Sequence, residues 1–219
     1  GALLPRRFRD GVVTERLELP DGDFLDLDWG KAGHRRLAVI SHGLEGSSKN
    51  RDIRGLSAAL NKAGWDTLAW NFRGCSGELN RCLRFYHSGE TGDLSAVLSH
   101  AAGSYSSLAL VGFSLGGNMI VKYLGEGNVH PDLQAAVAVS VPVDLASSAR
   151  ALDRRPGNQI YLRRFMKSLA AKVEAKAKRF PTEIDATGVH DVRSFSIFDD
   201  RYTARIHGFR DAEDYWRQS

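Results

Sequence analysis

Two cysteines in 219 residues, Cys75 and Cys82, are too few for a disulfide framework, and their spacing matches no metal-ligand pattern. Both are read as reduced and incidental. No stretch approaches the roughly 18 consecutive apolar residues of a membrane span. The arginine-bearing segment from Gly1 to Asp10 has no apolar core, so neither an anchor nor a signal peptide is expected, and the reading is a soluble, cytoplasmic protein. Internal repeats and low-complexity tracts are lacking as well. Aromatic residues do not interleave with basic ones as a nucleic-acid groove requires, which sets that partner aside. What is present, at 42% hydrophobic content, is enough chain for one well-buried domain and too little for two of ordinary size.

The net charge of +4 names no partner by itself, but its placement is informative. Arg154, Arg155, Arg163, Arg164, Lys167, Lys172, Lys176, Lys178 and Arg179 share their stretch with one acid, Glu174, and Leu162, Phe165, Met166, Leu169 and Val173 recur at helical spacing among them. This predicts a basic amphipathic helix. Its charges are expected to form a solvated face over a core stripe; contact with a membrane surface or an anionic substrate is the alternative.

Predicted strands alternate with predicted helices, which implies an α/β fold with a mainly parallel sheet. Glu15 to Leu19 and Phe24 to Trp29 flank Pro20-Asp21-Gly22-Asp23 and predict an antiparallel hairpin. Strands follow at Leu37 to Ser41, Asp66 to Trp70, Leu108 to Val111 and Ala135 to Val141, the last stopped by Pro142. Helices are expected from Ile53 to Ala63, from Thr91 as a cap to about Ala102, and through Leu115, Met119, Ile120, Tyr123 and Leu124. Arg193 to Phe198 fits a strand or a helix.

Gly112-Phe113-Ser114-Leu115-Gly116 follows the apolar run Leu108 to Val111 and precedes a helical pattern, the context of the G-x-S-x-G nucleophile elbow. It points to a serine hydrolase. Glycines two positions either side of the serine let strand and helix approach closely, and the serine sits in strained backbone geometry. A serine hydroxyl also needs a base, an acid and donors for the developing oxyanion. Ser41-His42-Gly43-Leu44-Glu45-Gly46 follows an early central strand, so the expected donors are the backbone N–H groups of Leu44 and Leu115. His42 is expected to prop its loop rather than act as the base.

Four motifs occur in register: His42 to Ser48, Asn71 to Gly77 (Asn-Phe-Arg-Gly-Cys-Ser-Gly), Tyr86 to Thr91 (Tyr-His-Ser-Gly-Glu-Thr) and Gly112 to Asn118. In this order and spacing the chain resembles the YheT-like branch of the α/β-hydrolases, from about Glu15 to its last residue. The resemblance implies a serine carboxylesterase or lipase with a Ser-His-Asp triad, a small-molecule ester substrate, no metal and no organic cofactor. It divides the single domain into a hydrolase core over residues 1–143 and a helical lid over 144–219. It also implies about a hundred further residues beyond Tyr215-Trp216.

In this fold the acid and then the histidine follow the serine on loops after two further core strands. Only Ala135 to Val141 reads as such a strand. The chain is therefore expected to be truncated, with the acid and base of Ser114 outside it and an apolar sheet edge left open to association. Asp144 and His207 are the residues that chain order would allow in a rebuilt triad, although Asp144 also suits a helix N-cap. His87 and Glu90 are expected to tie their loop to the sheet. Two other readings stay open: a catalytically incomplete or non-catalytic binding module, and an acyltransferase or haloperoxidase-type relative on the same fold.

Overall fold

The computed structural model describes residues 11–219, so the expectation placed on Gly1 to Asp10 lies outside the described residues. β1 (Val12–Glu18) and β2 (Phe24–Gly30) form the antiparallel hairpin. Gly22 turns it at φ +81°, in the left-handed region that glycine enters freely. β3 (Arg36–Ser41), β4 (Asp66–Trp70), β5 (Ser107–Phe113) and β6 (Leu133–Val139) pair in parallel, and β2 joins them antiparallel to β4. The sheet order is β1-β2-β4-β3-β5-β6.

The period of two along each strand sorts the core. Leu37, Val39, Leu68, Trp70, Leu108 and Leu110 face the side packed by α2 (Thr91–Ala102) and α3 (Leu115–Gly125). Ile40 and Ala69 meet Ile53 of α1 (Arg51–Lys62) on the other side. Each fully buried aliphatic side chain here contributes roughly 1.5–3 kcal/mol. Thr91 is the first residue of α2 rather than its cap, because Glu90 takes the cap position.

β6 departs from the expectation of an apolar core strand. It ends at Val139, two residues early, where Ser140 at φ +54° turns the chain. It lies at the sheet edge and is exposed, Val137 to 52%. Its composition is that of a buried strand, but among the described residues no strand pairs with its outer side.

Beyond it the chain is helical: α4 (Leu145–Arg154), α5 (Gln159–Arg179), α6 (Phe195–Phe198), a π-helical turn (Asp199–Thr203), α7 (Ala204–His207) and α8 (Ala212–Gln218). The ambiguous segment at 193–198 resolves as helix, started by Ser194 capping the Ile197 N–H and by Asp153 accepting from the Phe195 and Ser196 amides. These helices bury a second apolar cluster that includes Leu162, Met166, Val173, Phe198, Tyr202 and Trp216. Leu44 and Phe85 touch both clusters and join them.

The basic helix corrects the sequence reading in one respect. Lys176 is fully buried, donating to the carbonyls of Asn80 (2.9 Å) and Cys82, and Lys172 is mostly buried against Glu45. Burial holds the Lys176 ammonium down to about 8. The pattern of charges on α5 shows which residues are basic; chain-distant acceptors decide which of them turn inward. No described helix is long and apolar enough to cross a membrane.

Candidate active site

Ser114 joins β5 to α3 at φ +51° and ψ −118°, a conformation that costs a non-glycine residue about 1–3 kcal/mol. Neighbours hold it there. Its N–H donates to the Val139 carbonyl at 2.8 Å, and its own carbonyl accepts from Asn118 N–H at 3.0 Å. The flanking glycines are required by contact: a Cβ on Gly112 would lie 2.5 Å from the Gly116 carbonyl oxygen, and one on Gly116 would lie 2.5 Å from the His42 carbonyl oxygen. Backbone cannot yield to such overlap as a side-chain tip can. Ser114 itself is exposed, at the mouth of a cleft.

The loop after β3 lies against this turn, with Gly43 so close that a Cβ there would sit 3.4 Å from Ser114 Cβ. His42 is buried, donates from Nδ1 to the Gly43 carbonyl (2.7 Å) and accepts at Nε2 from Phe72 N–H (3.2 Å). Both ring nitrogens are spent on backbone, and burial holds the imidazole down to about 4. It props the loop, as the sequence reading has it. Leu44, Ser114 and Leu115 line the same cleft, together with Phe85, Leu145, Phe165 and Phe198. That cleft encloses about 1010 Å³, part of it open to solvent.

Among the described residues Asp144 forms no hydrogen bond or ion pair with a histidine. It caps α4, accepting from the Ser147 N–H at 2.8 Å and the Ser147 hydroxyl at 2.6 Å. Asp144→Ala is therefore expected to lower stability by about 1 kcal/mol and to leave the reactivity of Ser114 toward a phosphonate probe unchanged; a lost reaction would return Asp144 to the role of triad acid. His207 lines the cleft, but no hydrogen bond joins it to Ser114 among the described residues. Its Nε2 is buried and without a protein partner. Burial, then the charges of His87, Arg84 and Arg73, holds it down to about 3.

His87 is tied to the C-terminal helices rather than to the sheet. Its ring meets His207 at 4.7 Å, Phe209 at 5.3 Å and Tyr215 at 5.8 Å, and Tyr215 Oη accepts from the Ser88 amide beside it. The cause is packing: the loop lies between sheet and lid, and the lid supplies the aromatic partners. One donor atom from each of His87, Glu90 and His207 lies within 4.8 Å of the others, residue types that occur together in two-histidine, one-carboxylate metal sets. The donors do not suit a cation: Glu90 is paired with Arg84, and His87 Nδ1 accepts from Gly89 N–H at 3.2 Å, which leaves the ring proton on the Nε2 that faces Glu90.

Asp199 is placed in the lid region by sequence reasoning and given no role at the site. It lines the cleft, accepts from Trp216 Nε1 (2.8 Å) and Thr203 Oγ1 (2.7 Å), and burial lifts its carboxyl to about 6. Tyr202, also on the cleft, has a buried hydroxyl with no protein partner. Only the π-helical turn places these two side chains, and no local pattern announces such a turn.

A mixed sheet with a strained serine between a parallel strand and its helix agrees with the sequence comparison. The α/β hydrolase fold family matches residues 39–217. The chain belongs to that family. It is 42% identical over 99% of its length to the Escherichia coli protein named "Putative esterase YheT", covering 67% of that protein. It is 28% identical over 93% of its length to the mouse protein named "Phospholipase ABHD3", and there it spans about half, 52%, of the relative. Among solved structures, the Pyrococcus furiosus esterase Pf2001 superposes with a TM-score of 0.56 at 20% identity, over 66% of this chain and 57% of that one. The last likeness concerns the fold alone.

Proposed function

We propose that this α/β hydrolase chain carries the nucleophile and oxyanion site of a serine hydrolase that cleaves carboxylic esters through an acyl-enzyme on Ser114. The observation that carries the reading is Ser114 held at φ +51° between strand and helix, exposed to a cleft that it shares with Leu44 and Leu115. In this reading Ser114 Oγ attacks the ester carbonyl, the N–H groups of Leu44 and Leu115 hold the oxygen as it gains charge, the alcohol leaves, and water then hydrolyses the acyl-enzyme. Residues 144–219 act as a lid over the core of residues 1–143. Phe85, Leu145, Phe165, Leu169, Phe195 and Phe198 on the cleft suit an acyl chain, and the names of the E. coli and mouse relatives, an esterase and a phospholipase, support an ester of that class.

The acid and base are assigned to residues outside this chain, because Asp144 is engaged as a cap and no described histidine hydrogen-bonds Ser114. That same observation favours a second reading, a catalytically incomplete or non-catalytic binding module. Reaction with a fluorophosphonate probe, followed by digestion, separates the two. Ser114 is expected to be labelled in a version extended to the length of the E. coli relative, and Ser114→Ala to abolish the label. Labelling of the 219-residue chain as well would place a working base inside it. If neither version is labelled, the serine mechanism is wrong.

A further inference from the structure

We propose that Lys172 and Glu45 form a buried latch through which α5 holds the loop His42–Gly46 in the shape that presents the Leu44 amide to the cleft, making both of them positioning residues for the reaction at Ser114. The proposal rests on the serine-hydrolase reading and adds to it two side chains of the cleft wall whose charged ends are bound to each other and, among the described residues, make no hydrogen bond to Ser114.

Glu45 has φ +54°, a left-handed conformation that L side chains avoid, so the loop keeps this shape only if other contacts impose it. The contacts are present and leave the residue no freedom. Its N–H donates to Tyr86 Oη at 2.9 Å, and the Tyr86 hydroxyl donates back to Oε1 at 2.7 Å. Lys172 Nζ donates to the same Oε1 at 2.7 Å, and Ser168 Oγ donates to Oε2. Ser168 and Lys172 stand one turn apart on α5, so a single helix face grips both carboxylate oxygens. The side chains of Glu45 and Lys172 are 6% and 16% exposed. In so little water an ion pair is strong while intact, and the loss of one partner strands the other.

A carboxylate saturated in this way is not available to take a proton or a substrate. Its remaining consequence is mechanical. Leu44 precedes it directly and packs against both apolar clusters, and Gly43, one residue further back, lies against Ser114. Displacing α5 removes two of the three side chains that hold Glu45, so the lid and the oxyanion loop are built as one unit. Cys75 Sγ also accepts from Lys172, at 3.2 Å, which fixes the ammonium from a second side.

The test compares the full chain with its Lys172→Met, Glu45→Gln and double variants. One measurement is hydrogen–deuterium exchange of the peptide covering residues 43–48. The other is steady-state hydrolysis of p-nitrophenyl butyrate, by the extended version if the 219-residue chain lacks turnover. Exchange at the loop is expected to rise at least about tenfold, and kcat to fall by about 100-fold, the loss typical of a missing oxyanion donor. KM should stay within about threefold. The double variant should be no worse than either single one, and Lys172→Arg should recover much of kcat. Should Lys172→Met fail to fold, Ser168→Ala, which removes one contact, is expected to show the same effects at a few-fold scale. Unchanged loop exchange in the folded variants would overturn the latch. Faster exchange with kcat intact would overturn the positioning role, as would a fall confined to KM. An inactive, unlabelled wild type in both versions would instead refute the serine mechanism and the positioning role with it, while exchange would still decide whether the latch exists.

Discussion

Arg73→Met is expected to remove about 3–5 kcal/mol of stability, the range found when one partner of a buried ion pair is deleted. Arg73 is 3% exposed and forms a bidentate pair with Asp93, Nε to Oδ2 and Nη2 to Oδ1, both at 2.8 Å; its Nη1 donates to Asp21 (2.8 Å) and Asp23 (2.9 Å). The three carboxylates respond differently to its loss. Asp21 is partly exposed and can take up water. Asp23 is fully buried but keeps Asn80 and the amides of Phe24, Arg81 and Cys82, donors that together with Arg73 hold its carboxyl at about 2 against the upward push of burial. Asp93 is left with Arg84 at 3.9 Å, and burial already lifts its carboxyl with Arg73 in place. Stranding Asp93 is the larger part of the loss. Urea denaturation of the variant measures it, and Arg73→Met combined with Asp93→Leu should recover more than half. A single-variant loss below about 1 kcal/mol would show that the cluster does not hold β4 and α2 together.

Acidification from pH 7 to pH 5 is expected to cost on the order of 5 kcal/mol, a large share of the 5–15 kcal/mol typical of a domain. Burial holds His42 at about 4, and His87 and His207 at about 3, all below the ordinary histidine value near 6.5. The unfolded chain therefore binds protons first as pH falls, and native stability, complete above about 6.5, is lost downward from there. Each ring accounts for roughly 2 kcal/mol by pH 5, at about 1.4 kcal/mol per pK unit. Asp199 works the other way: its folded carboxyl is raised to about 6, so acidification relieves its cost and returns about 1 kcal/mol. The measurement is the urea midpoint at the two pH values, with the ring resonances followed by NMR. Stability constant to within about 1 kcal/mol, or three rings titrating near 6.5 in the folded chain, would refute it.

Much of the fold is legible locally. The short strand runs Leu37 to Ser41 and Asp66 to Trp70, the Asp21-Gly22 turn, and the glycines around Ser114 each state their geometry within a few residues, and the structure has them at or near the positions expected. The motif loops around His42 and Ser114 are legible for the same reason: their spacing encodes a close approach of backbone that only glycine permits. The candidate site beyond them is not legible in this way. Asp199 and Tyr202 reach the cleft through one irregular helical turn, and Asp144, which chain order allows in a triad and which also suits a cap, accepts from Ser147 three residues away.

Features that depend on the period of a strand or helix, or on the steric allowance of single residues, can be read from the chain alone: the order of elements, the core stripes, and the strained serine between glycines. Which charges are buried, and with whom, depends on the folded molecule. Glu45 and Lys172 are 127 residues apart, Lys176 and Asn80 are 96 apart, and Arg73 gathers three carboxylates from two separate segments. A composition shows that a lysine is basic; whether it faces water or an acid depends on the dielectric and the partners that folding brings to it.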